Sequence, residues 1–254
     1  MDEWQRAIDF MRALDQRCAE EVVDFRWGRA FVNRTLGTVP DLNYLVTQGD
    51  LTGVTADDLA RECERIQAPV GSAFRRVNVD DQEAAERLLF GFAELCFRAE
   101  RFCVMVRHRP ADRNVDVARV ERVDWATYRR GRKQEIDSWA PTALIAGHAL
   151  AKQELTSRIV DTTYLAVIED AGPVSFCEVR REGSVAQIEF VETLASYRRR
   201  GLARQVVTAA LDAVRSLPFV FLVADLFDWP QHFYTRLGFE TVGIESRFMR
   251  DLHV

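Results

Sequence analysis

The stretch Ile188-Glu-Phe-Val-Glu-Thr-Leu-Ala-Ser-Tyr-Arg-Arg-Arg-Gly-Leu-Ala-Arg204 decides the fold of the second half of the chain. It begins with a run typical of a β-strand and continues into a short basic turn that contains a glycine. After the turn, apolar residues recur at the spacing of an amphipathic helix: Ala203, Val206, Val207, Ala210, Leu211 and Val214. The stretch therefore predicts a strand, a tight turn and a helix that begins at the turn.

The basic turn has the features of a phosphate site. A turn that enters a helix exposes several backbone N–H groups in one direction, and the helix dipole adds partial positive charge there. Gly201 leaves room for a ligand to approach, and Ala203 is the next smallest choice. Formal charge is added by the side chains of Arg198, Arg199, Arg200 and Arg204. The residues alone leave two interpretations open, a phosphate-binding turn or a solvated basic turn.

The pattern Arg198-Arg-Arg-Gly201-Leu-Ala203 resembles motif A of the GNAT superfamily of N-acetyltransferases, which reads Arg/Gln-x-x-Gly-x-Gly/Ala between the fourth strand and the third helix. Downstream, residues 219–224 are apolar on both faces, as in a central strand covered by helices. The segment 227–239 then resembles the family's Asn-x-x-Ala-x-x-x-Tyr-x-x-x-Gly-Phe segment, with Tyr234 and Gly238-Phe239 at matching places. The resemblance implies an α/β (α+β) GNAT fold with a mixed central sheet flanked by helices.

The resemblance also implies a reaction, the transfer of an acetyl group from acetyl-CoA to an amine by direct attack in a ternary complex. In such a fold the fourth strand splays from the fifth, so that backbone groups of Val191 and Thr193 can pair with pantetheine and polarise the thioester carbonyl. The basic turn would hold the pyrophosphate. The residues assigned to acetyl-CoA are Val191, Glu192, Thr193, Arg198, Arg199, Arg200, Gly201, Leu202, Ala203 and Arg204.

Two side chains are candidates for proton transfer. Tyr234 matches the family's proton donor, and a tyrosine with a pKa of about 10 stays protonated at neutral pH, whereas a thiol has a pKa of about 8.5. Glu189 and Glu192 are an odd number of residues apart, which predicts that they face opposite sides of the strand. Glu189 is the candidate base, with an ion-paired carboxylate as its alternative, and Glu192 is expected to be an ordinary surface or ion-paired carboxylate. A half-buried structural aromatic is the alternative for Tyr234.

The segment 227–239 departs from the family at two positions. Phe227 stands where the family often has Asn, and Pro230 where it often has Ala. Asp228 can cap a helix that tolerates Pro230 in its first turn, but Phe227 offers a cofactor no side-chain hydrogen bond. The alternative function is therefore a non-enzymatic acyl-CoA sensor or a partner-binding pseudoenzyme.

The chain is predicted to contain two units, a degenerate GNAT-like domain at residues 1–110 and a catalytic domain at residues 116–254. Both share a strand-helix-strand-helix order, and Gly91-Phe92 is taken as the counterpart of Gly238-Phe239. In the first unit the strand-to-helix junction reads Thr47-Gln-Gly-Asp-Leu-Thr-Gly-Val-Thr55. This junction lacks the glycine pattern and adds the negative charge of Asp50, so we expect no phosphate site there.

Composition excludes several other classes of protein. With 254 residues, 48% hydrophobic and 29% charged, the sequence predicts a globular protein, and the net charge of −5 opposes nucleic-acid binding. The acidic N-terminus and the lack of a long apolar run predict a cytoplasmic protein that does not bind membranes.

The remaining residue types add further expectations. The five cysteines are predicted to be reduced thiols, and the four scattered histidines predict no metal site. Because 32 of the 34 basic residues are arginine, we expect a GC-rich, bacterial source. The expected partners are a small-molecule or peptide amine as acceptor and a second copy of the chain in a homodimer.

Overall fold

The computed structural model describes residues 2–169, 172–227 and 230–252. The chain divides into two compact units. Unit 1 consists of Met1–Val104, Ala224–Asp228 and Val242–Val254, and unit 2 consists of Met105–Val223 and Trp229–Thr241. Unit 1 therefore takes residues from both ends of the sequence, whereas unit 2 lies within residues 105–241.

The first part of the chain alternates helices and short strands. Its elements are α1 (Glu3–Cys18), β1 (Glu21–Phe25), β2 (Gly28–Val32), β3 (Tyr44–Thr47), α2 (Ala56–Gln67), β4 (Phe74–Val79), α3 (Gln82–Glu94) and β5 (Arg98–Arg107). The second part continues with β6 (Val120–Val123), α4 (Trp125–Asp137), α5 (Ala143–Ile159), β7 (Asp161–Glu169), β8 (Gly172–Glu182), β9 (Val185–Thr193), α6 (Leu202–Ala213), β10 (Phe219–Asp225), α7 (Pro230–Arg236) and β11 (Phe239–Asp251).

The two units pair their strands in the same pattern. In unit 1, β1, β2 and β3 are antiparallel neighbours, and β3 is parallel to β4. In unit 2, β6, β7, β8 and β9 are antiparallel neighbours, and β9 is parallel to β10. Each parallel step needs a crossover, which α2 provides in unit 1 and α6 in unit 2. The predicted repeat of strand and helix order is therefore present.

The last strand of the sequence belongs to the sheet of unit 1. Residues 246–251 of β11 pair antiparallel with residues 74–79 of β4. Phe248 of β11 stacks on Phe92 of α3, with 4.2 Å between the ring centroids. The core of unit 1 is consequently closed by residues from the C-terminal end of the chain.

The predicted equivalence of Gly91-Phe92 and Gly238-Phe239 is wrong. Gly91 and Phe92 lie inside α3, where a Cβ on Gly91 would approach the Cβ of Ala56 to 2.9 Å. Gly91 is therefore small because α2 and α3 pack closely there. Gly238 instead follows α7 with φ of +95°, a backbone conformation that favours glycine.

Candidate active site

The parallel strands β9 and β10 separate part-way along their length. Their pairing extends from Val185 and Phe219 to Ile188 and Leu222. Residues 189–193 of β9 continue to pair with β8 on the other side. The edge of β9 that carries Val191 and Thr193 thus lies beyond the last residue pair with β10, as the resemblance implied.

A β-bulge interrupts β9 in this separated part. Glu178 of β8 lies opposite Glu189, and Phe176 lies opposite Glu192, so two residues of β9 face the single residue Cys177. Phe190, inside the bulge, has φ of +49°. A bulge leaves its extra residue out of the ladder, and positive φ at a non-glycine residue is frequent at functional sites. The bulge gives this part of β9 backbone groups outside the regular pairing.

The bulge also overturns the prediction that Glu189 and Glu192 face opposite sides. Phe176 and Glu178 are two residues apart on β8 and share a face. Residues directly opposite each other in an antiparallel pair lie on the same face. Glu189 and Glu192 are therefore on one face, because the extra residue of the bulge shifts the alternation by one.

The turn between β9 and α6 has the backbone geometry of an exposed helix N-terminus. Gly201 is the N-cap of α6 with φ of +77°, and no side chain of the described residues caps the helix. The first helical hydrogen bond runs from the N–H of Gln205 to the carbonyl of Gly201, at 3.2 Å. The N–H groups before it belong to Leu202, Ala203 and Arg204, and such groups are the donors that bind anions at helix N-termini.

The arginines of this turn divide into two groups. Arg198, Arg199 and Arg200 are exposed. The Arg198 Nε donates to the carbonyl of Thr193 at 3.1 Å, and an Arg200 nitrogen donates to the carbonyl of Ser196 at 3.0 Å. These contacts leave the three positive charges next to the exposed helix N-terminus.

Arg204 does not join this positive cluster. Its side chain is buried, and its Nη1 donates to Asp112 Oδ1 at 2.6 Å. Asp112 lies 92 residues earlier in the sequence, so the pairing left no local signal. The predicted contribution of the Arg204 side chain to a phosphate site is therefore not supported, whereas its backbone N–H remains at the helix N-terminus.

Tyr234 of α7 is buried. Burial raises the pKa of the Tyr234 hydroxyl, and the nearby Cys177, Glu189 and Glu192 raise the pKa further. Its ring lies against Phe233 and Phe239, with centroids 5.2 and 6.1 Å away. The hydroxyl stays protonated at neutral pH, as a proton donor to a thiolate must.

The two carboxylates have different surroundings. Glu189 accepts a hydrogen bond from Gln187 Nε2 at 2.8 Å and lies 3.9 Å from Arg180 Nη1. Burial raises the pKa of Glu192, as does the neighbouring Glu135, while Arg132 and Arg198 lower the pKa. Glu189 and Glu192 thus share one face of β9, and the negative charge of both acts on the Tyr234 hydroxyl.

Sequence reasoning missed a buried polar network on the same face of the sheet. Gln153 of α5 donates to Glu178 at 3.0 Å and accepts from Arg132 of α4 at 3.2 Å. Arg180 also donates to Glu178, at 2.9 Å. The guanidinium carbons of Arg132 and Arg180 lie 4.5 and 5.4 Å from the centroid of the Phe190 ring. The available signal was the pair of charged residues two positions apart in the otherwise buried strand β8.

The corresponding junction of unit 1 is built differently. Thr55 and Asp58 form a reciprocal capping box at the start of α2. Arg87 of α3 donates to the carbonyls of Leu51 and Val54 at 2.7 and 2.8 Å. These hydrogen bonds hold the loop against α3 of the same unit, and the N-terminus of α2 is capped by side chains.

Two further features concern metals and membranes. Among residues 2–169, 172–227 and 230–252, no group of three or more His, Cys, Asp or Glu side chains could hold a metal ion. No helix in the same residues has the length and apolar character needed to cross a bilayer.

The predicted cap Asp228 lies outside the described residues, and Phe227 is 78% exposed.

The sequence profile of the acetyltransferase (GNAT) family matches residues 124–239, which include α4, the bulged strand, the basic turn and α7. Residues 124–239 belong to the GNAT family. The predicted superfamily is thereby confirmed. No protein with a curated description matches the sequence significantly.

Solved structures support the GNAT fold over most of the chain. A GCN5-related N-acetyltransferase from Kribbella flavida is 15% identical with a TM-score of 0.59, over 94% of this chain and 95% of its own. A conserved protein of unknown function from Staphylococcus epidermidis is 15% identical with a TM-score of 0.70, over 92% of this chain and 94% of its own. A tandem GNAT protein from the clavulanic acid biosynthesis pathway is 16% identical with a TM-score of 0.53, over 75% of this chain and 68% of its own. These likenesses confirm the predicted fold class.

Proposed function

We propose that unit 2 is an acetyl-CoA-dependent N-acetyltransferase that acts on an amine of a small molecule or peptide by direct attack in a ternary complex. The observation that carries the proposal is the separated, bulged part of β9, which leads directly into the uncapped N-terminus of α6. A thioester carbonyl needs a donor that is fixed in place, and a diphosphate needs several N–H groups and positive charge. The thioester end of acetyl-CoA would contact the separated part of β9, and its diphosphate would contact the N-terminus of α6.

The donor substrate is proposed to lie along β9 and the turn. Backbone groups of Val191 and Thr193 would pair with pantetheine, and Arg198, Arg199 and Arg200 would neutralise phosphate charge. The backbone from Gly201 to Arg204 would cradle the pyrophosphate. This assignment is supported by the exposed charges and by the absence of a side-chain cap on α6 within the described part of the chain.

The chemical steps are assigned to Tyr234 and Glu189. Tyr234 would protonate the departing thiolate, because burial raises the pKa of its hydroxyl and the hydroxyl therefore still holds its proton at neutral pH when the thiolate forms. Glu189 is proposed to stand near the acceptor as the candidate base, although its oxygens already contact Gln187 and Arg180. An acceptor amine must lose a proton before it attacks, since an alkyl amine has a pKa of about 10.4.

The N-terminal part of the chain is proposed to be a degenerate GNAT-like unit that no longer binds acetyl-CoA. The capped and acidic start of α2 supports this assignment. Several expectations stay predictions from the sequence: the bacterial source, the cytoplasmic location, the lack of nucleic-acid and membrane binding, and the homodimer.

A non-enzymatic acyl-CoA sensor is the second candidate, favoured by the exposed Phe227 where the family often has Asn. Two measurements on the full chain separate the candidates: calorimetric titration with acetyl-CoA, and release of the CoA thiol with a panel of primary amines. An enzyme binds acetyl-CoA and releases CoA in proportion to one or more amines. Binding with no amine-dependent release supports the sensor, and no binding contradicts both.

A further inference from the structure

The segment 108–112 lies against the C-terminal end of α7, the helix that carries the candidate proton donor. The backbone N–H of His108 donates to the carbonyl of Gly238 at 3.0 Å. The backbone N–H of Asp112 donates to the carbonyl of Arg236, the last residue of α7, at 2.8 Å. The last carbonyls of a helix have no partner inside the helix. The segment 108–112 therefore supplies hydrogen-bond donors to this helix end.

Gly238 allows the segment 108–112 to approach this closely. Its φ is +95°, and a Cβ at this position would come within 1.9 Å of the carbonyl oxygen of Arg109. The Arg109 side chain adds a hydrogen bond from its Nη2 to the carbonyl of Thr235, at 3.0 Å. The position of α7 against the segment 108–112 is therefore closely determined.

Asp112 also joins this segment to the first turn of α6. Its Oδ1 accepts from Arg204 Nη1 at 2.6 Å. The Arg204 guanidinium carbon lies 5.9 Å from the centroid of the Phe233 ring, and this ring lies 5.2 Å from that of Tyr234. Arg204 is buried, and a buried cation needs a partner of opposite charge. Asp112 is thus bonded both to the end of α7 and to the helix that begins at the basic turn.

We propose that Asp112 is a positioning residue of the active site, which holds α7 and the first turn of α6 in one arrangement and thereby keeps the Tyr234 hydroxyl where the thiolate leaves. This inference rests on the proposed function of unit 2. Asp112 precedes residues 124–239, which match the family, so this contact is an addition of this chain to the matched region. Asp112 acts through Arg204 and α7 and does not contact the substrate.

An external hold matters for α7 because the helix is short. It consists of 7 residues, Pro230–Arg236, and isolated helices shorter than about 12 residues are marginally stable. The diphosphate and the thioester belong to one donor molecule, so a proton donor near the sulfur has to be fixed relative to the phosphate site. A displacement of about 1 Å can cost a reaction about 100-fold in rate. Asp112 connects the two helices on which these groups depend.

The first measurement needs no ligand. Hydrogen exchange of the backbone amides of residues 205–208 and 231–238 is followed in the full chain by mass spectrometry. Asp112→Ala leaves the buried Arg204 charge without its partner, so that exchange should become at least about fivefold faster in both segments.

Two further variants complete this comparison. Asp116→Ala is the matched control, because Asp116 lies in the same loop and accepts from the N–H of Ala118 in its own turn. It should leave exchange in both segments within about twofold of wild type. Asp112→Asn keeps an oxygen that can accept from Arg204, so its effect should be smaller than that of Asp112→Ala. Unfolding midpoints establish that each variant is folded.

The second measurement is a double-mutant cycle in kcat, for CoA release with a competent amine. Asp112→Ala alone should lower kcat by about 10–100-fold and leave the acetyl-CoA affinity within about threefold. In a Tyr234→Phe background the same substitution should lower kcat by no more than about twofold, because the proton donor that Asp112 positions is already removed. A merely structural residue would lower kcat by the same factor in both backgrounds.

The inference is overturned if Asp112→Ala leaves exchange in residues 231–238 unchanged, or if kcat falls equally in the two backgrounds. It is also overturned if kcat of Asp112→Ala stays within about twofold of wild type. Faster exchange in both segments in a protein that releases no CoA with any amine would support the hold of Asp112 on the two helices. The same result would count against the proposed transfer.

Discussion

The helices α2 and α6 occupy corresponding places in the two units, each after a strand and before a parallel neighbour, but their N-termini differ. At α2, Thr55 and Asp58 form a capping box, and Asp57 adds a second acid to the first turn. At α6, Gly201 has no side chain, the first turn contains no acid, and three exposed arginines precede it. A capped, acidic terminus stabilises its own helix, whereas an uncapped, basic one is left to bind an anion.

Substitution of one buried tyrosine in each unit should give the largest difference between the units, and the quantity that differs is kcat. Tyr234→Phe keeps the ring and removes the proton donor, so kcat should fall by about 10²–10⁴-fold while acetyl-CoA affinity changes little. The measurement is CoA release with a competent amine, together with calorimetric titration. A turnover within about twofold of wild type would make Tyr234 structural.

Tyr44→Phe is the control in unit 1. The Tyr44 hydroxyl donates to Asp15 and accepts from Arg12 at 3.0 Å in a buried network. Its loss should lower the free energy of unfolding by about 1–3 kcal/mol and leave kcat unchanged. If Tyr44→Phe reduces kcat as strongly as Tyr234→Phe, the assignment of catalysis to unit 2 is incorrect.

Two glycines test the phosphate site with equal backbone strain. Gly201 and Gly53 have φ of +77° and +75°, and a Cβ at either position meets no atom within 4 Å in the part of the chain that the structure describes. Gly201→Glu should weaken acetyl-CoA binding by at least about 100-fold, because it puts bulk and negative charge where the pyrophosphate binds. Gly53→Glu should leave the affinity within about twofold. Equal effects of the two substitutions on acetyl-CoA affinity would contradict the claim that only the turn before α6 binds phosphate.

The sequence predicted local features well where a few neighbouring residues determine them. The strand before the basic turn, the strand at residues 219–224 and the helix after Gly201 lie where the sequence placed them. Capping, turn conformation and helical periodicity depend on contacts within a few positions. The same locality explains why the basic turn could be recognised.

The features that were missed depend on residues far apart in sequence. The pairing of β11 with β4 and that of Arg204 with Asp112 join distant positions. The bulge at Phe190 depends on the register of β9 with β8. Because of the bulge, Glu189 and Glu192 lie on one face, although strict alternation of side chains along a strand predicts opposite faces. The prediction for Gly91-Phe92 was wrong because a glycine that packs against Ala56 inside a helix cannot be distinguished by sequence from a glycine that ends a helix.

The number of acetyl-CoA molecules bound per chain tests the central claim, that the turn before α6 is a phosphate site and the turn before α2 is not. The measurement is calorimetric titration of the full chain, since residues 246–251 of β11 complete the sheet of unit 1 and a fragment ending at residue 110 would lack them. The account predicts one molecule per chain, lost in Gly201→Glu and kept in Gly53→Glu. Two molecules per chain, or one that survives Gly201→Glu, would contradict it.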